Sequence, residues 1–306
     1  MDKNSKIFVA GHNGLVGSAI VRNLKSKGYG NLLTIKSSTL DLRNQESVKD
    51  FFNYHRPEYI FLAAAKVGGI LDNATYPADY IYDNLMIQNN VINFSHVYKV
   101  KKLLFLGSSC IYPKFAQQPI KEEYLLSDYL EQSNEAYAIA KISGMKMCEY
   151  YNKQYGSNFI SCMPTNLYGP NDNFDLNSSH VIPALINKFI NAKDEVICWG
   201  DGSAKREFLY VDDMAEGCIF LMNEYNNNQF LNLGTGEDIS IKELVELIAR
   251  LTKFKGKIVW DTSKPNGTPR KVLDVFKINK LGWKASTTLE EGLVKTLKWY
   301  KNNSSL

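Results

Sequence analysis

The string Gly11-His12-Asn13-Gly14-Leu15-Val16-Gly17 constrains the fold of this chain more than any other. It follows a short apolar run, Ile7-Phe8-Val9-Ala10, and leads into an amphipathic stretch from Leu15 to Lys27. Glycine permits a tight turn and close backbone approach, and a helix starting there aims its free N–H groups and positive dipole end at whatever occupies the turn. A glycine turn alone is common and can be a plain strand-to-helix connection. Between a first strand and a first helix it predicts a βαβ unit that receives a pyrophosphate.

The same alternation continues. Leu32–Ile35, Tyr59–Ala64, Leu103–Leu106 and Phe159–Met163 read as strands, and Gln45–Tyr54, Tyr80–Tyr98 and Glu135–Tyr155 as helices between them. Short, continuously apolar strands separated by helices indicate a parallel sheet covered on both faces. The expected fold is therefore α/β, a doubly wound Rossmann-type parallel sheet. The rhythm changes after Tyr168-Gly169-Pro170, where 171–179 is polar and turn-rich. Helices over Val181–Ala192, Ile241–Leu251 and Leu289–Lys301, one beginning near Tyr210-Val211-Asp212-Asp213, and a strand at Phe230–Leu233 complete the chain. The expected organisation is a dinucleotide-binding unit of 1–170 plus about 207–236, and a smaller C-terminal α/β substrate unit of about 171–206 and 237–306.

Other classes are disfavoured. A net charge of +4 is too slight to argue for nucleic acid, though it suits an anionic small ligand. No apolar run is long enough to span a bilayer, and the N-terminus does not read as a signal peptide. The five cysteines form no CxxC pair and the four histidines are scattered, so neither a disulfide framework nor a metal site is expected, and a reducing cytoplasm is the natural setting.

An acidic residue after the second strand would bond the ribose 2′-OH of NAD. Here Lys36-Ser37-Ser38-Thr39 stands instead, cationic and hydroxylated, which favours a 2′-phosphate and NADP while leaving NAD open; Asp41-Leu42 follows near the adenine position. Tyr137 and Lys141 are four residues apart on the long helix and so share one face. A tyrosine ionises near pH 10, and a neighbouring ammonium is expected to lower that value, letting the pair shuttle a proton to a carbonyl oxygen. YxxxK is frequent by chance. Ser108, directly after the fourth strand, strengthens it, because ligands bind at the carboxyl ends of parallel strands.

Glycine turn, serine and YxxxK together resemble the extended short-chain dehydrogenase/reductase family along the whole chain. Lys66–Ile70, Ser108–Pro113, Pro164–Pro170, Ser179–Leu185, Arg206–Phe208 and Lys264–Lys271 are similar in particular to its GDP-L-fucose synthase branch. The resemblance implies a GDP-linked 4-keto-6-deoxy sugar as substrate, NADP(H) as cofactor and a two-stage reaction. Cys110 and His180 would exchange protons at C3 and C5, both groups being bases of tunable pKa. Hydride would then reach C4, with Ser108, Tyr137 and Lys141 carrying the reduction. Cofactor contacts are implied at Gly11, Asn13, Gly14, Leu15, Val16, Gly17, Lys36, Ser37, Asp41 and Leu42. They would continue through Ala63, Ala64, Leu106, Tyr137, Lys141, Pro164, Asn166, Leu167 and His180. Substrate contacts are implied at Lys66, Asn166, Lys188, Trp199, Arg206, Asn266 and Arg270. A homodimer through the two long helices is also implied, with Ile81, Leu85, Ile87 and Val91 either covering that face or packing on the sheet.

The chain departs from the family pattern in four places. Arginines found by the cofactor in some members are Asn13 and Ser37 here; an arginine by the nucleotide is Lys188 and an aspartate is Asn266. These leave open NADP against NAD, and a hexose against a GDP-6-deoxy-4-keto-heptose reduced without epimerisation. A dehydratase would want acidic and basic groups after Ser108, where Ser109 and Cys110 stand, and a non-catalytic NADP-binding regulator would be expected to lose Tyr137 or Lys141.

Overall fold

The computed structural model describes residues 1–176, 178–264 and 266–303. Asn177 of the polar loop and Pro265 of the Lys264–Lys271 string lie outside the described residues. The chain begins β1 (Ile7–Ala10), α1 (Leu15–Ser26), β2 (Leu32–Leu33), α2 (Gln45–His55), β3 (Tyr59–Leu62), α3 (Ile70–Thr75), α4 (Pro77–Val97), β4 (Lys102–Leu106), α5 (Glu135–Tyr155) and β5 (Phe159–Pro164). It continues β6 (Asn166–Tyr168), α6 (Val181–Asn191), β7 (Glu195–Trp199), β8 (Lys205–Arg206), β9 (Phe208–Tyr210), α7 (Val211–Glu224), β10 (Leu231–Leu233), β11 (Ile239–Ser240), α8 (Ile241–Thr252), β12 (Lys257–Asp261), β13 (Arg270–Lys271), α9 (Phe276–Lys280) and α10 (Leu289–Asn303).

The main sheet is six-stranded and parallel throughout, in the order β2-β1-β3-β4-β5-β10. The residues of β1, β4 and β5 are buried throughout and nearly all apolar, as helices on both sides require. All six carboxyl ends therefore open on one edge, where the glycine turn also lies. β10 returns from the second half to pair with β5, Leu231 opposite Cys162.

Several boundaries differ from expectation, each for a local reason. β2 stops at Leu33, and the chain beyond folds into a turn in which Thr39 and Leu40 N–H groups donate to the Lys36 carbonyl. β3 stops at Leu62, because Ala63 and Ala64 bend against Gly11. α4 begins three residues early, at Pro77, whose missing N–H costs nothing in a first turn. The parallel pair of β7 and β12 was not foreseen; β7 alternates buried Val196 and Cys198 with exposed Glu195, Ile197 and Trp199 over only five residues. The short helices α3 and α9 were also unforeseen.

Two cores result. The larger lies against the main sheet; the smaller joins Tyr168, Ile186, Phe189, Leu244, Ile248 and Leu297, among others. Leu273, Val275, Ile278 and Trp283, expected in the smaller unit, pack in the larger core. Val91 is fully buried there too, and Ile87 packs against it, while Ile81 and Leu85 stay partly exposed.

Glu207 links the parts. It is fully buried between β8 and β9. One carboxylate oxygen accepts from the Thr235 and Gly236 N–H groups at 2.6 and 2.8 Å, and the other from Leu273 N–H at 2.8 Å. Its carbonyl accepts from the Asn166 side-chain amide at 2.9 Å. Replacing it would leave one buried and two part-buried backbone donors without their acceptor, at about 1–3 kcal/mol for a buried one and less for the others. Glu207→Leu should therefore destabilise the protein by on the order of 3 kcal/mol or more. A denaturant midpoint close to wild type would show that these bonds are dispensable.

Candidate active site

The cofactor end is shaped by close backbone approach. Gly11 has φ of +83°, and a Cβ there would stand 2.7 Å from the Ala64 nitrogen. A Cβ on Gly17 would lie 2.1 Å from the Gly11 carbonyl oxygen. Gly14 caps α1 with no side chain, and the first-turn N–H groups have no intrahelical acceptor. This bare cradle fits a pyrophosphate. Asn13 is exposed at its lip, and Leu15 and Val16 open the helix.

Beyond β2, Lys36 and Ser37 sit on an exposed turn. Lys36 is near enough to His12 to add to burial in lowering the imidazole pKa. Asp41 is engaged by Arg43, whose hydrogen bonds hold its carboxyl below the usual range, and Arg43 also reaches Asp83 at 3.0 Å. The Leu42 carbonyl accepts from Asn90 at 2.9 Å. Arg43 thus adds a cation at this end that sequence reasoning did not select. Ala63, Ala64, Leu106, Pro164, Asn166 and Leu167 line up at the carboxyl ends of β3, β4 and β5 and the start of β6.

The expected catalytic groups gather at the end of β4. Ser108 Oγ lies 2.7 Å from Cys110 Sγ, and the short 3-10 turn Ser109–Ile111 presents the half-buried thiol. On α5, Lys141 is 3% exposed; its ammonium donates to the Leu106 carbonyl at 2.8 Å and stands 5.7 Å from the Tyr137 ring centre. Burial lowers Lys141 to about 8, opposed by negative charge at Cys110 and then Cys162.

The expectation for Tyr137 is overturned. Burial raises its phenol well above the ordinary range; negative charge at Cys110 acts the same way, and the Ser108 hydroxyl bond opposes both. A phenolate here would be a charge withdrawn from water, so desolvation is the dominant cause. Tyr137 is held as a protonated donor, which suits delivery of a proton to a carbonyl oxygen.

His180 caps the start of α6, open to solvent on one side, and desolvation on the other lowers its pKa. Its loop is tied to the Lys66–Gly69 segment by Gly69 N–H donating to the Ser178 carbonyl at 3.0 Å. Lys66 itself is already engaged, with Asp79 at 3.1 Å and Asp83 at 3.4 Å.

Lys271 was missed as a site residue. β13 lies parallel to β8 with Lys271 opposite Arg206. Successive side chains on a strand point to opposite faces. Arg270 accordingly pairs with Asp238, while Lys271 feels the charge of Cys110, then of Arg206, Glu131 and Glu207, with burial as the main cause lowering its pKa. Its only sequence signal was membership of the string that carries Arg270.

The outer part of the site differs in character. Trp199 is 59% exposed, with the Lys188 and Lys264 ammoniums 5.9 and 5.7 Å from its ring. Lys188 also donates to the Ile197 carbonyl at 2.8 Å. Asn266 accepts from Asp201 N–H at 2.9 Å beside Gly200, where a Cβ would strike its side chain. Arg206 extends past Gly267, and burial lowers its pKa. A flat apolar face flanked by cations matches a base followed by phosphates.

A family model described as the NAD dependent epimerase/dehydratase family matches residues 7–234. The chain is 56% identical over 307 residues to "Putative GDP-L-fucose synthase 2" of Arabidopsis thaliana, covering 99% of this chain and 94% of that one. It is 50% identical over 311 residues to "GDP-L-fucose synthase" of Escherichia coli (strain K12), covering 97% of each. A solved structure, "MlghC, GDP-mannoheptose C4 reductase from Campylobacter jejuni with NADP bound", is similar with a TM-score of 0.92 and 41% identity, covering 98% of this chain and 99% of that one.

Proton transfer relayed through Tyr137 should depend on the charge of Lys141. The lowered value means the ammonium is present at neutral pH and lost as pH rises through about 8. The ratio kcat/KM should therefore fall on the alkaline side with an apparent pKa near 8. Lys141→Met should give a low rate without that limb; an unchanged alkaline limb in the variant would assign it to another group.

Proposed function

The chain belongs to the NAD dependent epimerase/dehydratase family, in the branch of the GDP-L-fucose synthases, and we propose that it epimerises a GDP-linked 4-keto-6-deoxy sugar at C3 and C5 and reduces it at C4. NADP(H) is the cofactor and, when bound, supplies the hydride for C4. The observation that carries the reading is the convergence of Ser108, Cys110, Tyr137 and Lys141 at the carboxyl end of β4, with Cys110 in the electrostatic field of Tyr137, Lys141 and Lys271.

In this reading Ser108 and Tyr137 meet the 4-keto oxygen, and Tyr137 gives it a proton as hydride arrives. Polarising that carbonyl acidifies the C–H bonds at C3 and C5, where Cys110 and His180 remove and return protons. Lys141 and Lys271, whose charges couple to Cys110, would stabilise the oxyanion of the enediolate. The smaller unit, 171–206 and 237–306, takes the nucleotide: Trp199 against guanine, Lys188 and Arg206 toward the phosphates, with Asn266, Arg270, Asn166 and Lys66 around the ligand. The cofactor lies against Gly11–Gly17, Lys36, Ser37, Asp41 and Leu42. A homodimer through α4 and α5 completes the proposal, supported by the partly exposed Ile81 and Leu85. Light scattering should return the mass of two chains, and a single-chain mass at micromolar concentration would remove the dimer.

The solved heptose C4 reductase favours one alternative, a reductase acting on a GDP-6-deoxy-4-keto-heptose without epimerisation. NADPH oxidation with GDP-4-keto-6-deoxy-mannose in D2O, with the sugar read by NMR, separates the two. Deuterium at C3 and C5 of the reduced product is expected; a C4-reduced sugar without deuterium would leave a reductase only. Cys110→Ala should slow that exchange by about a hundredfold, the usual scale for a general base. Unchanged exchange in the variant would take Cys110 out of the epimerisation.

A further inference from the structure

Tyr137 is backed by a second tyrosine that the reaction does not use. Tyr80 on α4 is fully buried, and its ring meets the Tyr137 ring edge to face, with centroids 6.3 Å apart and planes at 85°. Its hydroxyl donates to the Asp72 carboxylate on α3. Its carbonyl accepts from the Asn84 amide at 2.7 Å, and Asn84 also exchanges bonds of 3.0 Å with the Lys66 N–H and carbonyl. The Lys66 ammonium stands 5.6 Å from the Tyr80 ring centre. A Cβ on Gly68 would lie 2.1 Å from the Tyr80 hydroxyl and 2.7 Å from the Asp72 carboxylate, so a bare backbone is what lets the two meet.

The hydroxyl has a consequence that packing alone does not. A phenylalanine would fill the space without requiring a carboxylate beside it. With the bond, α4 is joined to α3, and α3 packs on the turn at Gln132–Asn134 that opens α5, the helix carrying Tyr137. The Asn73 amide, donating to the Gly68 and Gly69 carbonyls at 2.9 and 3.0 Å, stiffens the same segment. Lys141 and Ser108 act near the functional end of Tyr137; Tyr80 supplies the wall against which its ring rests.

We infer that Tyr80, fixed by its hydroxyl bond to Asp72, is a positioning residue for Tyr137, holding the phenol where it can pass its proton to the substrate oxygen. The inference rests on the reading of Tyr137 as proton donor. Its test compares Tyr80→Phe, Asp72→Ala, Asp72→Asn and Tyr137→Phe, using GDP-4-keto-6-deoxy-mannose and NADPH deuterated at the transferred position. Tyr80→Phe and Asp72→Ala should each lower kcat about tenfold, a modest part of what misplacing a reacting group can cost. KM and NADPH affinity should stay within about twofold, and the isotope effect on kcat should rise as chemistry becomes limiting. Asp72→Asn retains an acceptor oxygen and should recover most of the rate, which also guards against a variant that merely folds poorly. Wild-type kcat in Tyr80→Phe, a loss confined to KM or NADPH affinity, or no recovery in a folded Asp72→Asn would overturn the positioning role. Full turnover in Tyr137→Phe would instead remove the proton-donor reading beneath it, a result that Tyr80→Phe cannot mimic.

Discussion

A carboxylate with no exposure to solvent, Glu207, ties together segments of the chain that are far apart in sequence. Burying a charge in a protein interior costs several kcal/mol unless donors replace its water. Here the donors are backbone N–H groups from two distant segments, around Thr235 and at Leu273, with the Thr235 hydroxyl assisting. Burial pushes the Glu207 carboxyl up and these bonds pull it back. Because the bonds are backbone bonds, they set the course of the chain as well as the charge. Glu207 N–H donates to the Lys271 carbonyl at 3.2 Å, so the same residue helps set β13 beside β8.

From that arrangement follows the electrostatic division of the cleft. The end near Cys110 is the more buried: Lys141 is withdrawn from water and Tyr137 is half-buried, burial favours the neutral form of each, and the charge of Cys110 acts on both. Low dielectric makes such couplings strong, which is useful where charge must develop on a sugar oxygen and then disappear. The end near Trp199 is open, with an exposed indole flanked by the Lys188 and Lys264 ammoniums. Cations in water bind a diphosphate without requiring its full desolvation, and their cost in the free protein is small.

The parallel sheet makes this economical. With every strand emerging at the same edge, the glycine turn after β1, the bend at Ala63–Ala64, the serine after β4 and the segment after β5 meet without long insertions. The close contact of Gly17 with Gly11 and of Gly11 with Ala64 shows how tightly this edge is drawn together. Side chains at those glycines would force apart the ends of β1 and β3 and the start of α1.

Features governed by neighbours in the chain were legible in the sequence. Apolar runs at Ile7, Tyr59, Leu103 and Phe159 read as buried strands because their residues exclude water whatever lies opposite. Gly11 to Gly17 read as a phosphate turn because only glycine fits so close a backbone, and Tyr137 and Lys141 read as one helical face because four residues make about a turn. Short pieces escaped: β7 and β12 are stable only as a pair, and neither carries enough periodicity alone. Contacts between distant segments were beyond reach. Arg270 pairs with Asp238 while the charge of Lys271 couples to Cys110, Asp79 and Asp83 occupy Lys66, and burial holds Tyr137 protonated more firmly than its lysine neighbour alone implies. The sequence by itself determined the fold class, the glycine turn after β1 and the shared helical face of Tyr137 and Lys141, since these depend on local sterics and periodicity. Only the tertiary structure decided their charge states and partners, because desolvation and Coulomb coupling depend on which remote atoms surround a group.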